Sequence, residues 1–133
     1  MIKVTCALII NKEERILVAQ RSNNMNLPLK WEFPGGKIEA NETPEACLIR
    51  EIKEELNISV KIIKGLPTNI HVYPNITIEL MPFICNHVKG DIILKEHADF
   101  KWLHKNELLA LDWADADVPI VKYYISTTPH DIR

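Results

Sequence analysis

The chain of 133 residues is 47% hydrophobic and 26% charged, which predicts one domain over residues 1–133 and excludes a disordered chain. A formal net charge of −2 provides no basic surface for a nucleic acid polymer, so we expect no such partner. No apolar run reaches the roughly 20 residues of a spanning helix. Residues 1–10 lack the length and cleavage site of a signal peptide, and no membrane association is expected.

The cysteines Cys6, Cys47 and Cys85 are far apart and form no CxxC pair. This spacing gives little support to zinc binding or redox chemistry. Their apolar neighbours predict buried, reduced thiols, which fits a cytoplasmic location.

The beginning of the chain predicts a β-hairpin. Residues 2–10 and 16–21 are rich in β-branched and apolar side chains and are separated by a polar turn. Residues 22–30 are rich in turn formers and predict a loop.

The next segment predicts little regular structure. Residues 31–33 indicate a short strand before Pro34. We expect Gly35 and Gly36 to break any regular element and residues 37–42 to form a loop.

A helix is predicted from Thr43 to about Leu56. Thr43 is a suitable N-cap, and Pro44 suits the first helical position. Asn57 tolerates the left-handed conformation in which helices often end.

The second half of the chain predicts more strands and further helical segments. Residues 105–111 indicate a helix or helical turn, and residues 118–126 indicate a helix that opens after Asp117, with Pro119 in its first turn. Residues 127–133 are expected to fray. A mixed sheet with at least one long helix packed on it follows, which is an α/β or α+β sandwich. The strand-like runs are residues 58–65, 69–74, 76–88, 91–94 and 100–103.

The predicted helix carries a stripe of acids. Glu51, Glu54 and Glu55 fall within an arc of about 100° that borders the apolar face. Carboxylates this close repel one another and resist ionising when partly buried. A hard divalent cation, Mg²⁺ or Mn²⁺, would offset the repulsion through oxygen ligands. On spacing alone, a solvated acidic face is an equal alternative.

The residues around this stripe favour the metal site, because together they resemble a known family. The pattern G-x5-E-x7-R-E-U-x-E-E-x-G-U, with U a bulky aliphatic residue, is the signature of the Nudix hydrolases. One position departs from the signature, since Asn57 stands where the family has glycine. The matching residues are Gly36, Glu42, Arg50, Glu51, Ile52, Glu54, Glu55 and Ile58.

The resemblance implies an α/β/α sandwich with a mixed β-sheet and a catalytic helix. It also implies hydrolysis of a diphosphate linked to another moiety, with a divalent metal. Arg50 then resembles the family arginine that orients a neighbouring glutamate, and Glu42 would act through water or pair structurally. The implied metal ligands are Glu51, Glu54, Glu55 and the carbonyl of Gly35.

Similarity to the MutT-like branch extends over nearly the whole chain. Arg21 matches an arginine that contacts substrate phosphate in that branch, with a surface arginine as the alternative, and Lys37 is also assigned to substrate binding. Glu96 resembles a further metal-binding glutamate and could be a ligand, the general base or a solvated acid. Glu51 is the other candidate for the base.

Asp117 falls at the position that reads the nucleobase in MutT-like enzymes. An ionised Asp117 only accepts hydrogen bonds, which suits an exocyclic amine such as cytosine N4, whereas a protonated one could also donate to a carbonyl. Capping of the last helix is the alternative. Trp113 could stack on a base, but core packing is expected for it and for Trp31 and Trp102.

The resemblance implies a nucleoside triphosphate pyrophosphohydrolase that acts on cytidine or damaged nucleotides and cleanses the nucleotide pool, a role in DNA repair. A Nudix hydrolase of ADP-ribose or dinucleoside polyphosphates is the alternative, and Tyr73-Pro74 is compatible with either. A non-catalytic sensing domain is disfavoured because all signature glutamates are present. The sequence leaves open whether the chain is a monomer or a homodimer.

Overall fold

The computed structural model describes residues 1–127 and contains a mixed eight-stranded sheet. No helix among these residues is long and apolar enough to cross a membrane. The strands are β1 (Ile2–Ile10), β2 (Ile16–Gln20), β3 (Trp31–Glu32), β4 (Gly35–Lys37), β5 (Ser59–Gly65), β6 (Asn69–Val72), β7 (Thr77–Lys89) and β8 (Asp99–Leu103). The α-helices are α1 (Pro44–Leu56) and α2 (Val118–Ser126), and 3₁₀ helices span Lys105–Ala110 and Asp115–Asp117.

Strand β1 is the centre of the sheet and of both core layers. It runs parallel to β7 over its whole length, and its successive side chains point to opposite faces. Ala7 and Ile9 pack beneath α1, whereas Cys6 and Leu8 pack beneath α2. The sheet therefore lies between helices, which confirms the predicted α/β/α sandwich.

The sheet splits where the site forms. Strands β1 and β2 pair only at Ile10 and Ile16 and then diverge, with β3 bonded to β2 and β4 bonded to β1. Gly35 pairs with Cys6, and a Cβ on Gly35 would lie 2.0 Å from the Thr5 carbonyl oxygen. The expectation that Gly35 and Gly36 break regular structure was wrong, because glycine is what permits this close strand pairing.

Helix α1 has the predicted ends. Thr43 accepts a hydrogen bond from the Ala46 amide at 3.1 Å, and Pro44 occupies the first turn. Asn57 adopts the left-handed conformation, with φ of 63°, and its amide donates to the Lys53 carbonyl. Local sequence therefore sets the start and end of the acidic helix.

The predicted strand at residues 91–94 is absent. Instead the Ile93 amide donates to the Leu56 carbonyl at 3.0 Å, and the Lys95 amide donates to the Glu55 carbonyl at 3.1 Å. The segment therefore pairs with carbonyls that a helix end leaves without partners. The predicted fraying of residues 127–133 lies almost entirely outside the described residues, which end at Thr127.

Candidate active site

Arg50 connects the acids of α1 to the preceding loop. Its guanidinium donates to both carboxylate oxygens of Glu42, at 2.7 and 2.9 Å, and this pairing lowers the pKa of Glu42 to about 2. Its Nη1 also donates to Glu51 at 2.9 Å and to Glu54 at 3.2 Å. Glu42 thus forms a structural ion pair, one of its two expected roles, and Arg50 contacts its neighbouring glutamates as expected.

Gly36 leaves room for the Glu51 carboxylate. A Cβ on Gly36 would lie 2.3 Å from the carboxyl carbon of Glu51, so any other residue would displace that group. The Glu51 side chain is 18% exposed, whereas that of Glu54 is 59% exposed. The acidic stripe therefore runs from the interior to solvent.

Glu55 is in an unfavourable environment for a lone carboxylate. Burial raises its pKa to about 9, with further contributions from a hydrogen bond to Glu51 and from nearby negative charges, including that of Glu96. Its Oε2 is buried and has no hydrogen-bond partner among residues 1–127. Two touching, partly buried carboxyl groups cannot both ionise readily unless a cation offsets their charge.

These carboxyl groups fit a hard divalent cation. Carboxylate oxygens are the ligands that Mg²⁺ and Mn²⁺ prefer, and the orphaned Oε2 of Glu55 would gain a partner. Within residues 1–127, no three His, Cys, Asp or Glu side chains converge closely enough to hold an ion as they stand. In this arrangement Nη1 of Arg50 is hydrogen-bonded to both Glu51 and Glu54, and its single positive charge is shared with Glu42.

A cleft of about 630 Å³ adjoins these residues. It is lined both by Glu55 and the double glycine and by Asp117 from the other face of the sheet. The predicted residues that line it are Arg21, Gly35, Lys37, Glu55 and Asp117. Arg50, Glu51 and Glu54 lie on α1 outside this lining, and Glu96 lies exposed in the segment beside the end of α1.

Asp117 is a buried carboxyl group in the cleft wall, 6% exposed. Its Oδ2 accepts a hydrogen bond from the Phe33 amide at 2.9 Å. Burial raises its pKa well above the ordinary value, and the charge of Glu32 adds to the effect. Its side chain makes no capping bond to α2, so the alternative capping role is not realised. A neutral Asp117 offers a donor as well as an acceptor.

The aromatic residues mainly pack, as expected. Trp31 and Trp113 are buried, and the Trp113 indole donates to the Leu108 carbonyl at 2.7 Å. Trp102 packs partly buried on the α1 side. Tyr73 lines the cleft, and its hydroxyl accepts a hydrogen bond from the Ala116 amide at 2.9 Å.

The ion pairs of the cleft wall include two residues that were not predicted as site residues, Glu32 and His97. Glu32 pairs with Arg21 at 2.7 Å and with His97 at 2.8 Å, and all three line the cleft. The one available signal for Glu32 was a lone acid between Trp31 and Phe33 at the entry to the double glycine. His97 gave no signal, because its partner is 65 residues away in the chain.

Comparison with known families and proteins agrees with this geometry. The family model of the NUDIX domain matches residues 2–124, and the chain belongs to the Nudix family. A protein named 8-oxo-dGTP diphosphatase from Proteus vulgaris is 37% identical over 93 residues, which cover 70% of this chain and 83% of that protein. A protein named CTP pyrophosphohydrolase from Escherichia coli (strain K12) is 30% identical over 126 residues, 95% of this chain and 93% of that one.

Solved structures give the same result. The solution structure of the protein MutT, a Nudix hydrolase from methicillin-resistant Staphylococcus aureus 252, is 42% identical with a TM-score of 0.75, covering 94% of this chain and 95% of that one. A MutT protein from Methanosarcina mazei Go1 shares the fold, with a TM-score of 0.84 over 92% of this chain and 91% of that one at 23% identity. The chain is a Nudix hydrolase of the MutT-like branch, and such hydrolases generally depend on a divalent metal.

Proposed function

We propose that this Nudix hydrolase is a nucleoside triphosphate pyrophosphohydrolase that uses Mg²⁺ or Mn²⁺. Its substrate would be a cytidine nucleotide or an oxidised nucleotide, and its role the cleansing of the nucleotide pool. The observation that carries the proposal is that Glu55 and the buried Asp117 line the same cleft. A phosphate chain beside α1 would therefore leave the base within reach of a polar side chain. The names of the relatives from Proteus vulgaris and Escherichia coli support this substrate class.

In the proposed reaction, the oxygen of a water molecule bonds to the β-phosphorus. The bond between that phosphorus and the α–β bridging oxygen breaks, and the bridging oxygen leaves with the monophosphate. The other product is pyrophosphate. A bound divalent cation supplies charge neutralisation of the phosphates and lowers the pKa of water. The groups that would hold it are Glu51, Glu54, Glu55, Glu96 and the carbonyl of Gly35.

The remaining polar residues would orient the reactants. Glu51 or Glu96 would accept the proton of the attacking water, and Arg50 would orient Glu51 through the bond at 2.9 Å. Arg21 and Lys37 line the cleft and carry positive charge, so both would contact substrate phosphate. Asp117 would read the base.

The test is a screen for pyrophosphate release. Normal and oxidised nucleotides are incubated with Mg²⁺ or Mn²⁺, with Glu54→Gln as the inactive variant and Glu45→Gln as its control. Both glutamates are exposed on α1, so neither change should unfold the protein. Mutation of residues that merely contact a metal ligand commonly lowers metal affinity or activity 10–100-fold. We therefore expect Glu54→Gln to lower the rate of pyrophosphate release about 100-fold or more, and Glu45→Gln to keep a rate near that of wild type.

Two results would overturn the proposal. Full metal-dependent activity in Glu54→Gln would contradict the metal assignment. Release of AMP from ADP-ribose, without pyrophosphate from any NTP, would instead favour the alternative substrate class.

A further inference from the structure

His97 is a buried histidine in the cleft wall that the proposed reaction does not use. Its side chain is 1% exposed, and its Nε2 lies 2.8 Å from Oε2 of Glu32. Its Nδ1 is buried and has no partner within residues 1–127. A buried polar atom without a partner destabilises a folded protein, and a leucine would avoid that cost. The bond at Nε2 is therefore what a histidine contributes at this position.

Glu32 joins His97 to Arg21. Its Oε1 accepts a hydrogen bond from Nη1 of Arg21 at 2.7 Å, while Oε2 is used by His97. The side chains of Glu32 and Arg21 are only 17% and 23% exposed, so water screens these charge-assisted bonds weakly. Each oxygen of the carboxylate has its own partner, and losing one partner frees the carboxylate to rotate away from the other.

Arg21 in turn holds the loop of residues 22–30. Its Nε donates to the Asn26 carbonyl at 2.5 Å, and its amide donates to the Lys30 carbonyl at 2.8 Å. Asn26 and its neighbours Met25 and Leu27 line the cleft. A continuous set of contacts therefore leads from His97 through Glu32 to the guanidinium and the cleft wall.

His97 is the fixed member of this set. The next amide, of Ala98, donates to the Gln20 carbonyl of β2 at 2.9 Å, and the amide of Lys95 donates to the Glu55 carbonyl of α1 at 3.1 Å. The backbone on both sides of the histidine is thus bonded to regular elements, whereas Arg21 carries a long side chain with several rotamers. The fixed position of His97 therefore limits the positions open to Glu32 and, through it, to the Arg21 guanidinium.

We propose that His97 is a positioning residue that acts through Glu32 to hold the Arg21 guanidinium in the cleft for a substrate phosphate. This inference rests on the proposed function, which assigns Arg21 to that phosphate. His97 touches no reacting atom, so its loss should weaken substrate binding more than it slows the chemical step.

The kinetic test compares His97→Leu with His97→Gln. Leucine keeps the volume without a donor, whereas the glutamine amide nitrogen can reach Glu32 as Nε2 does. Because a hydrogen bond to a charged group is involved, we expect His97→Leu to raise KM for the preferred NTP on the order of tenfold with little change in kcat. His97→Gln should have a KM close to that of wild type. In an Arg21→Ala background, His97→Leu should raise KM by less than about twofold.

A second measurement does not depend on turnover. The side-chain Nε–H signal of Arg21 in heteronuclear NMR spectra of the full chain reports whether the guanidinium is ordered. We expect a sharp, protected signal in wild type and His97→Gln, and a broadened or averaged signal in His97→Leu. His87→Leu is the control, because it removes a histidine contact of 2.9 Å to the Gly90 carbonyl, and neither residue lines this cleft. It should leave both the Arg21 signal and KM unchanged.

Several outcomes would overturn the inference. One is an Arg21 signal as ordered in His97→Leu as in wild type, and another is an equal effect of His97→Leu with and without Arg21. Should His97→Leu fail to fold, Glu32→Gln should disorder Arg21 while leaving the histidine in place, and an unchanged signal there would count against the inference. Absence of NTP turnover in wild type would instead refute the proposed function, and the NMR comparison would still decide the role of His97.

Discussion

At the scale of single residues, Asp117 shows how burial changes what a carboxyl group can recognise. Burial raises its pKa, and Oδ2 is used by the Phe33 amide at 2.9 Å. Asp117 also lines the cleft, so a ligand bound there would meet its carboxyl group. As a neutral acid, this residue can both donate and accept.

Asp117→Asn should therefore change base preference without changing metal dependence. The amide oxygen would keep the bond to the Phe33 amide, so the NH₂ group would face the cleft and could only donate. We expect turnover of CTP, whose N4 amine needs an acceptor, to fall relative to 8-oxo-dGTP, whose O6 carbonyl accepts from a donor, by roughly tenfold or more, since such pairs are worth about 1–3 kcal/mol. Pyrophosphate release from both substrates measures the ratio. An unchanged substrate ranking would remove Asp117 from base recognition.

Glu42 makes the stability of the protein depend on pH. The Arg50 guanidinium lowers its pKa from 4.5 to about 2. A group whose pKa is lower in the folded state stabilises that state above its unfolded pKa, and the stabilisation is lost as pH falls through the folded pKa. The ion pair should therefore contribute fully at neutral pH and lose its contribution between about pH 5 and pH 2.

Glu42→Gln should flatten this dependence. Urea unfolding midpoints measured at several pH values should fall less steeply on acidification in the variant than in wild type. Glu45→Gln, at an exposed position of the same helix, is the control for the loss of one carboxylate. Equal acid sensitivity in wild type and Glu42→Gln would show that the ion pair contributes nothing to acid stability.

At the scale of elements, strand β4 uses its two glycines for different purposes. A Cβ on Gly35 would meet the backbone of Thr5 at 2.0 Å, whereas a Cβ on Gly36 would meet the Glu51 carboxyl carbon at 2.3 Å. Backbone in a central strand cannot move aside cheaply, but the end of a glutamate side chain can. Gly35 therefore permits strand pairing in the sheet, and Gly36 leaves space for the Glu51 carboxyl group of the candidate site.

The two alanine variants should separate these effects. Gly35→Ala should lower Tm by on the order of 10 °C or more, because strand pairing is disrupted. Gly36→Ala should fold with a much smaller shift in Tm but lose activity by about 100-fold, because it would displace Glu51, which we propose as a metal ligand. Circular dichroism melting and pyrophosphate release measure the two properties. Wild-type activity in Gly36→Ala would show that the site does not need a glycine at this position.

Elements that depend on neighbouring residues could be predicted from the sequence, and elements that depend on distant ones could not. Thr43, Pro44 and Asn57 define α1 locally, so its bounds were predicted closely. The strand character of β4 comes from pairing with β1. Residues 91–94 form no strand because Ile93 is hydrogen-bonded to the carboxyl end of α1. Neither partner can be identified from the local pattern.

The same distinction holds for the candidate site across the whole molecule. The acidic stripe could be predicted because it depends only on the spacing of the glutamates along one helix. The bond between Asp117 and Phe33 joins residues 84 apart, and the contact between His97 and Glu32 joins residues 65 apart. Only the divergence of β1 and β2, with β3 and β4 between them, brings these groups to one cleft. The positions of Glu32 and His97 were therefore available only from the folded chain.

At the scale of the whole molecule, we propose that the acids of α1 bind a divalent cation on which hydrolysis depends. The most direct measurement is Mn²⁺ titration followed by electron paramagnetic resonance, on wild type, on a Glu51→Gln, Glu54→Gln, Glu55→Gln triple variant and on Glu45→Gln. We expect wild type and Glu45→Gln to bind Mn²⁺ equally, and the triple variant to bind at least about tenfold more weakly. Equal Mn²⁺ binding by the triple variant and wild type would contradict the claim.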